Sequence, residues 1–150
     1  MRILFVNGSP HKNGNTVMLA QKFLKNHEFD TLHLVDYKIY SYGQTFEDDQ
    51  FGEVLKIMKQ ADVLVIGSPL YWHSMSGAIR NLLDRFYGDV NEEDFQGKDL
   101  YFIFQGYAPT ALQLEAGEFT MKRFAELYRM HYKGMITNEK DAMHEIEMSV

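Results

Sequence analysis

The chain has 150 residues, 45% hydrophobic and 24% charged, the usage of an ordinary globular protein long enough to bury one core without staples. It contains no cysteine, which excludes disulfides, thiolate nucleophiles and Cys-ligated zinc or iron-sulfur centres. Its 15 basic and 21 acidic side chains leave a net charge of -6 with no basic block, which argues against nucleic acid as a partner.

In chain order, Ile3 to Val6 is a continuous apolar run, predicted to be a strand covered on both faces. It is too short for a signal-peptide core, and no apolar stretch reaches membrane-spanning length, so the expectation is one domain over residues 1–150, cytoplasmic, with no membrane partner. The turn "NGSPHKNGNT" (Asn7 to Thr16) follows, then a narrow helical stripe of Val17, Ala20 and Leu24. Phe29 to Val35 reads as a weaker strand, with Leu32 and Leu34 alternating with Thr31 and His33. Asp36 to Asp49 is a long, tyrosine-rich connection. Phe51, Val54, Leu55 and Met58 form the next helical stripe, and Ala61 to Pro69 the next strand, again ending in Gly-Ser-Pro.

Met75, Ala78, Ile79, Leu82, Leu83 and Phe86 are spaced as one face of a helix. Lys98 to Gly106 is a further strand. Thr120, Phe124, Leu127, Tyr128 and His131 mark another helix, with Gly134 just beyond it; Lys133 to Thr137 is a last strand, and "DAMHEIEMSV" holds a short helix. The order β α β α β α β α β argues an α/β fold, a three-layer sandwich around a five-stranded parallel sheet with right-handed crossovers. In the strand order 2-1-3-4-5, the two Gly-Ser-Pro turns lie side by side at the switch point where open sheets bind ligands.

Two readings fit the first turn. Asn15 or Thr16 caps the following helix, or Ser9, Asn13, Asn15 and Thr16 join free backbone amides in a phosphate cradle, with His11 and Lys12 on its rim. A Walker loop is excluded because Asn15, not lysine, follows Gly14. No G-x-G-x-x-G fingerprint is present, and the acids of a phosphoacceptor site are replaced by Asn7 and Gly67. After the third strand, Tyr71 and the single tryptophan, Trp72, offer a surface suited to a flat heteroaromatic ring; an interface anchor is the alternative.

"GSPHKNGNT" followed by "ADVLVIGSPLYWHSMSGAIRNLLDR" resembles the flavodoxin-like NAD(P)H-dependent FMN reductase and quinone reductase family. The resemblance implies FMN as cofactor, with Ser9, His11, Asn13, Asn15, Thr16 and the Val17 amide on its phosphate. It places Pro69, Leu70, Tyr71 and Trp72 in a loop bordering the isoalloxazine, and Gln105, Gly106 and Tyr107 in a third flavin-facing loop. It further implies a ping-pong cycle in which NADH or NADPH reduces the flavin and a small-molecule electron acceptor (quinone, flavin, nitro or azo compound) reoxidises it, in a homodimer. Trp72, His73 and Tyr107 are candidate walls for those substrates. No catalytic side chain is nominated, because the flavin carries the chemistry. His73 reads either as a hydrogen-bonding partner of the acceptor or as a polar rim residue.

Asp36 to Asp49 lacks the cysteines that relatives often carry after the second strand, so no cluster is expected, and the histidines show no metal-like spacing, so no metal is. Little sequence follows the fifth strand to form a full final helix. The rival reading is a flavodoxin-type single-electron carrier without a nicotinamide site.

Overall fold

The computed structural model describes residues 1–144. β1 (Ile3–Asn7) is buried along its whole length because its side chains alternate between two cores. Leu4 and Val6 enter one; Ile3 and Phe5 enter the other. The same division governs β3 (Val63–Tyr71) and β5 (Asp99–Gln105), which explains why these strands read as unbroken apolar runs. β2 (Asp30–His33) and β6 (His131–Ile136) lie at the edges and are less buried.

The sheet runs β2-β1-β3-β5-β6, all parallel, with β4 (Ser74–Met75) paired antiparallel to the end of β3. Setting the two-residue β4 aside, this is the expected 2-1-3-4-5 order. α2 (Phe51–Lys59), α3 (Gly77–Asp84) and α4 (Ala111–Leu127) cover one face, while α1 (Asn15–Phe23) and the short α5 (Glu139–Ala142) cover the other. On the three-helix face Phe86 sits at the centre of an aromatic cluster with Phe51, Phe95, Phe124 and Tyr128. Truncating such a fully buried ring costs about 3–5 kcal/mol. Among the described residues no helix is long and apolar enough to cross a membrane.

Several boundaries differ from the sequence reading, each for a local reason. Met75 lies in β4 and Phe86 beyond the end of α3, because Ser76 starts that helix by accepting the Ile79 N–H. α4 begins at Ala111, well before Thr120, on a capping box formed by Thr110 and Gln113. His131 begins β6 and is not helical, and Gly134 sits inside that strand at φ +141°, next to a bulge opposite Leu100 and Tyr101. β2 stops at His33, where a single 3-10 turn (Leu34–Asp36) takes over. The predicted helix over 141–150 is represented by α5 at its start, and its last six residues lie outside the described residues.

The long connection after β2 is held against α3. Arg85 makes paired bonds to the Asp49 carboxylate over 2.9 and 2.7 Å and a third to the Tyr40 carbonyl. Asn81 donates to the Ile39 carbonyl over 2.6 Å. The guanidinium holds the Asp49 carboxyl below its ordinary value.

Candidate functional site

Parallel pairing of β1 with β3 sets Asn7 opposite Gly67, so the two Gly-Ser-Pro turns leave the sheet together. They are bonded to each other: Gly8 N–H donates to the Gly67 carbonyl over 2.8 Å, and Ser76 Oγ donates to the Gly8 carbonyl over 2.9 Å. A Cβ on Gly8 would lie 2.2 Å from Ile79 Cγ1, so only glycine admits this approach of β1 to α3.

Asn7, fully buried, organises the first turn. Its Oδ1 accepts the Ser9 N–H over 3.0 Å, and its Nδ2 donates to the His11 carbonyl and to His33 Nδ1. Ser9, also buried, accepts the His11 N–H on Oγ. The turn is thereby shaped before α1 begins. Neither Asn15 nor Thr16 caps that helix, which corrects the capping alternative. The N-cap is Gly14, with no side-chain bond, and Asn15 is already the first helical residue.

The first intrahelical bond runs from Met18 N–H to the Gly14 carbonyl, leaving the Asn15, Thr16 and Val17 amides with no acceptor inside the helix. Such amides, at the positive end of a helix dipole and beside buried hydroxyls, favour an anion. Thr16 and Val17 are buried there, whereas His11, Asn13 and Asn15 are exposed at the rim. Lys12, also on the rim, is paired with Asp36 at 2.8 Å.

The predicted ring-bordering loop is mostly strand. β3 continues through Pro69 and Leu70 to Tyr71 because β4 folds back on it, pairing Leu70 with Met75 and Tyr71 with Ser74. Trp72 and His73 form the two-residue turn between them, at φ +49° and +65°. This is the type I′ geometry that asparagine and glycine ordinarily supply. Holding two bulky residues there costs about 1–2 kcal/mol each. Trp72 is 93% exposed, so packing does not compensate that cost.

On the other side, Gln105 Nε2 donates to Thr16 Oγ1, and the Gly106 Cα lies so close to Leu70 that an added Cβ would meet Leu70 Cβ at 3.0 Å. Tyr107 follows, fully exposed. The three segments therefore converge at the carboxyl end of the sheet, as an open surface with aromatic side chains on its rim. A cleft of about 220 Å³ adjoins it between Asn15, Gln105 and Asn138. A larger one, about 320 Å³, lies between Phe23, Tyr101 and Lys133, away from these groups.

Three participants escape the sequence reading. Asn7 shapes the first turn, Ser76 carries the side-chain contact from the start of α3 to Gly8, and Gln113 bonds His73 Nδ1 at 2.6 Å. The Thr110-x-x-Gln113 pattern is a legible capping box; its second contact, to His73, is tertiary. Among the described residues no group of three or more His, Asp or Glu side chains is arranged to hold a metal ion.

A family profile described as NADPH-dependent FMN reductase matches residues 1–135. An iron-sulfur flavoprotein of Archaeoglobus fulgidus is 35% identical over 98 residues, 57% of this chain and 48% of that protein. An NADPH azoreductase of a Bacillus species is 31% identical over 87 residues, 56% of this chain and 49% of that one. The chain thus spans about half the length of the curated relatives it matches. This chain has no cysteine with which to ligate a cluster such as the first relative's name records. The solved structure of the Trp repressor binding protein from Bacillus subtilis superposes with a TM-score of 0.83 at 19% identity, covering 98% of this chain and 100% of that one, a likeness of flavodoxin-like fold.

Proposed function

This chain belongs to the NADPH-dependent FMN reductase family, and from that premise we propose that it is an FMN-dependent NAD(P)H oxidoreductase that reduces a small-molecule quinone, flavin, nitro or azo acceptor. The observation that carries the proposal is the uncapped start of α1, whose free amides adjoin the buried Thr16 that Gln105 ties to the end of β5, at the same carboxyl end of the sheet from which the exposed Trp72–His73 hairpin leaves β3. A phosphate and a flat ring are the two ligand parts that such a pairing accommodates.

In this reading Ser9, Asn13, Asn15, Thr16 and the Val17 amide bind the FMN phosphate, with His11 at its edge. Pro69, Leu70, Tyr71 and Trp72 line one side of the isoalloxazine, and Gln105, Gly106 and Tyr107 the other. FMN supplies the hydride chemistry. The side chains orient the ring and leave a stacking surface, where Trp72, His73 and Tyr107 receive the nicotinamide and then the acceptor. The single parallel sheet serving both core clusters supports one flavodoxin-like domain, for which a cytoplasmic setting is proposed.

A homodimer is part of the proposal. Trp72 and Tyr107 are almost wholly exposed at the site, and Tyr87, Phe119 and Leu127 are exposed around a groove between α3 and α4. A second copy would bury these apolar surfaces.

The test is a titration of the purified chain with FMN and FAD, followed by anaerobic mixing of the loaded protein with NADH or NADPH and then with p-benzoquinone. FMN binds in preference to FAD, the flavin is bleached by a nicotinamide, and the quinone restores its colour. Reduction by dithionite alone would replace this proposal with the flavodoxin-type electron carrier, and failure to bind FMN would overturn both.

A further inference from the structure

His73 stands at the tip of the hairpin between β3 and β4, and its ring is joined to α4 through the contact between His73 Nδ1 and Gln113 Nε2. The rest of Gln113 determines which group donates. Its Oε1 accepts the Thr110 N–H over 2.9 Å, while Thr110 Oγ1 accepts the Gln113 N–H over 3.2 Å. A backbone N–H only donates, so the oxygen of the Gln113 amide faces Thr110 and its NH2 faces the ring. An NH2 group only donates in turn. His73 Nδ1 is therefore the unprotonated, accepting nitrogen, and the proton of the neutral imidazole is on Nε2.

We infer that Gln113 is a positioning residue that holds His73 as the neutral Nε2–H tautomer. The hairpin then presents a hydrogen-bond donor and favours electron acceptors whose reducible group itself accepts hydrogen bonds: a quinone or nitro oxygen, or an azo nitrogen. The assignment of an acceptor rests on the flavin reading above; the tautomer does not.

The tether resists change from either end. Protonating Nδ1 would set an N–H against the Gln113 NH2, and rotating that amide would leave the Thr110 N–H facing another donor. Nε2 has no hydrogen-bond partner among the described residues, and His73 is exposed beside Trp72. The left-handed backbone at both hairpin positions holds the imidazole within reach of α4.

Gln113→Glu tests this without dismantling the fold, because glutamate serves a capping box as glutamine does. A carboxylate offers the ring only acceptors, so it favours the Nδ1–H tautomer, the ring proton leaving Nε2 and returning at Nδ1 through solvent. Long-range nitrogen–proton correlation spectra of the ligand-free protein, recorded above the ordinary histidine range, report which ring nitrogen carries hydrogen. The His73 signal is identified by its loss in His73→Asn. The parent shows hydrogen on Nε2 and a bare Nδ1, and Q113E shows hydrogen on Nδ1. Hydrogen on Nδ1 in the parent, an averaged signal there, or an unchanged spectrum in Q113E overturns the tautomer assignment.

In the FMN-loaded proteins, Q113E slows reoxidation by p-benzoquinone about tenfold, as expected for loss of one hydrogen bond, and slows reduction by NADPH less, because a stacked nicotinamide gives up its hydride without a hydrogen bond from the ring. Equal slowing of both half-reactions, or of neither, overturns the role toward the acceptor. A chain that takes up no FMN overturns the flavin reading and that role together, while the ring spectra still decide the tautomer.

Discussion

Gln105 Nε2 donates to Thr16 Oγ1 over 3.1 Å, tying the end of β5 to the first turn of α1 across 89 residues. Because Thr16 accepts this bond, its own hydroxyl proton is left to donate to the phosphate proposed for the α1 amides. A hydrogen bond to a charged group contributes about 1.5–3 kcal/mol, so Thr16→Val weakens FMN about tenfold to a hundredfold. Riboflavin, lacking the phosphate, binds parent and variant alike. Thr16→Ser keeps the hydroxyl and retains FMN affinity, although it removes the methyl group packed over Gly67. Dissociation constants for both flavins on all three proteins, with melting temperatures of the ligand-free forms, check this. Equal weakening of both flavins by Thr16→Val would place the phosphate elsewhere.

Gly8→Ala tests the junction of the two turns. The added methyl meets Ile79 Cγ1 at 2.2 Å and the Gly67 carbonyl oxygen at 2.9 Å. Overpacking of this kind costs about 1–3 kcal/mol. Adding Ile79→Val restores only part of the loss, since a Cγ1 remains and the second clash is with backbone. Urea midpoints of the single and double variants measure both effects; an unchanged midpoint in Gly8→Ala would mean that β1 and α3 separate freely here.

Replacing Trp72 and His73 together by Asn and Gly relieves the left-handed strain with residues suited to a type I′ turn. The gain of about 1–2 kcal/mol per strained position is offset in part by the lost His73–Gln113 bond, leaving a net stabilisation of about 1–3 kcal/mol. The melting temperature therefore rises while reoxidation of bound flavin by a quinone slows. A variant that is both stable and fully active would remove the hairpin from the substrate surface.

The Asp49–Arg85 pair predicts a pH signature. Hydrogen bonding to the guanidinium lowers the Asp49 carboxyl below its ordinary value of 3.8. A depressed folded-state value gives stabilisation that is complete above the unfolded value and is lost as pH falls through the folded one. Both side chains are largely buried, so Asp49→Asn costs about 1–3 kcal/mol near neutrality, and the gap to the parent closes in acid. Melting temperature against pH for the two proteins measures it; a gap that persists in acid would assign the cost to packing.

The elements legible in the sequence were those whose burial leaves a local repeat. Strands covered on both faces read as continuous apolar runs, as in Val63 to Ile66, and α2 as a stripe of Phe51, Val54 and Met58, because strand and helix periods act over a few residues. The paired Gly-Ser-Pro turns and the strand order were legible for the same reason, since turn residues end each run and alternation of elements restricts the topology. α4 was legible only in part: it buries Gly117, Met121, Phe124 and Ala125 but exposes Leu112, Phe119 and Leu127, so its apolar residues do not trace one stripe. Met75 and Phe86 misled oppositely, keeping helical phase outside α3.

The tertiary structure alone decided that Gly14 rather than a side chain precedes α1, that β3 runs on to Tyr71, and that Thr16 meets Gln105 and His73 meets Gln113. Each depends on register and packing between segments far apart in the chain. A hydrogen bond fixed to within a few tenths of an ångström by such packing leaves no periodic trace along the sequence.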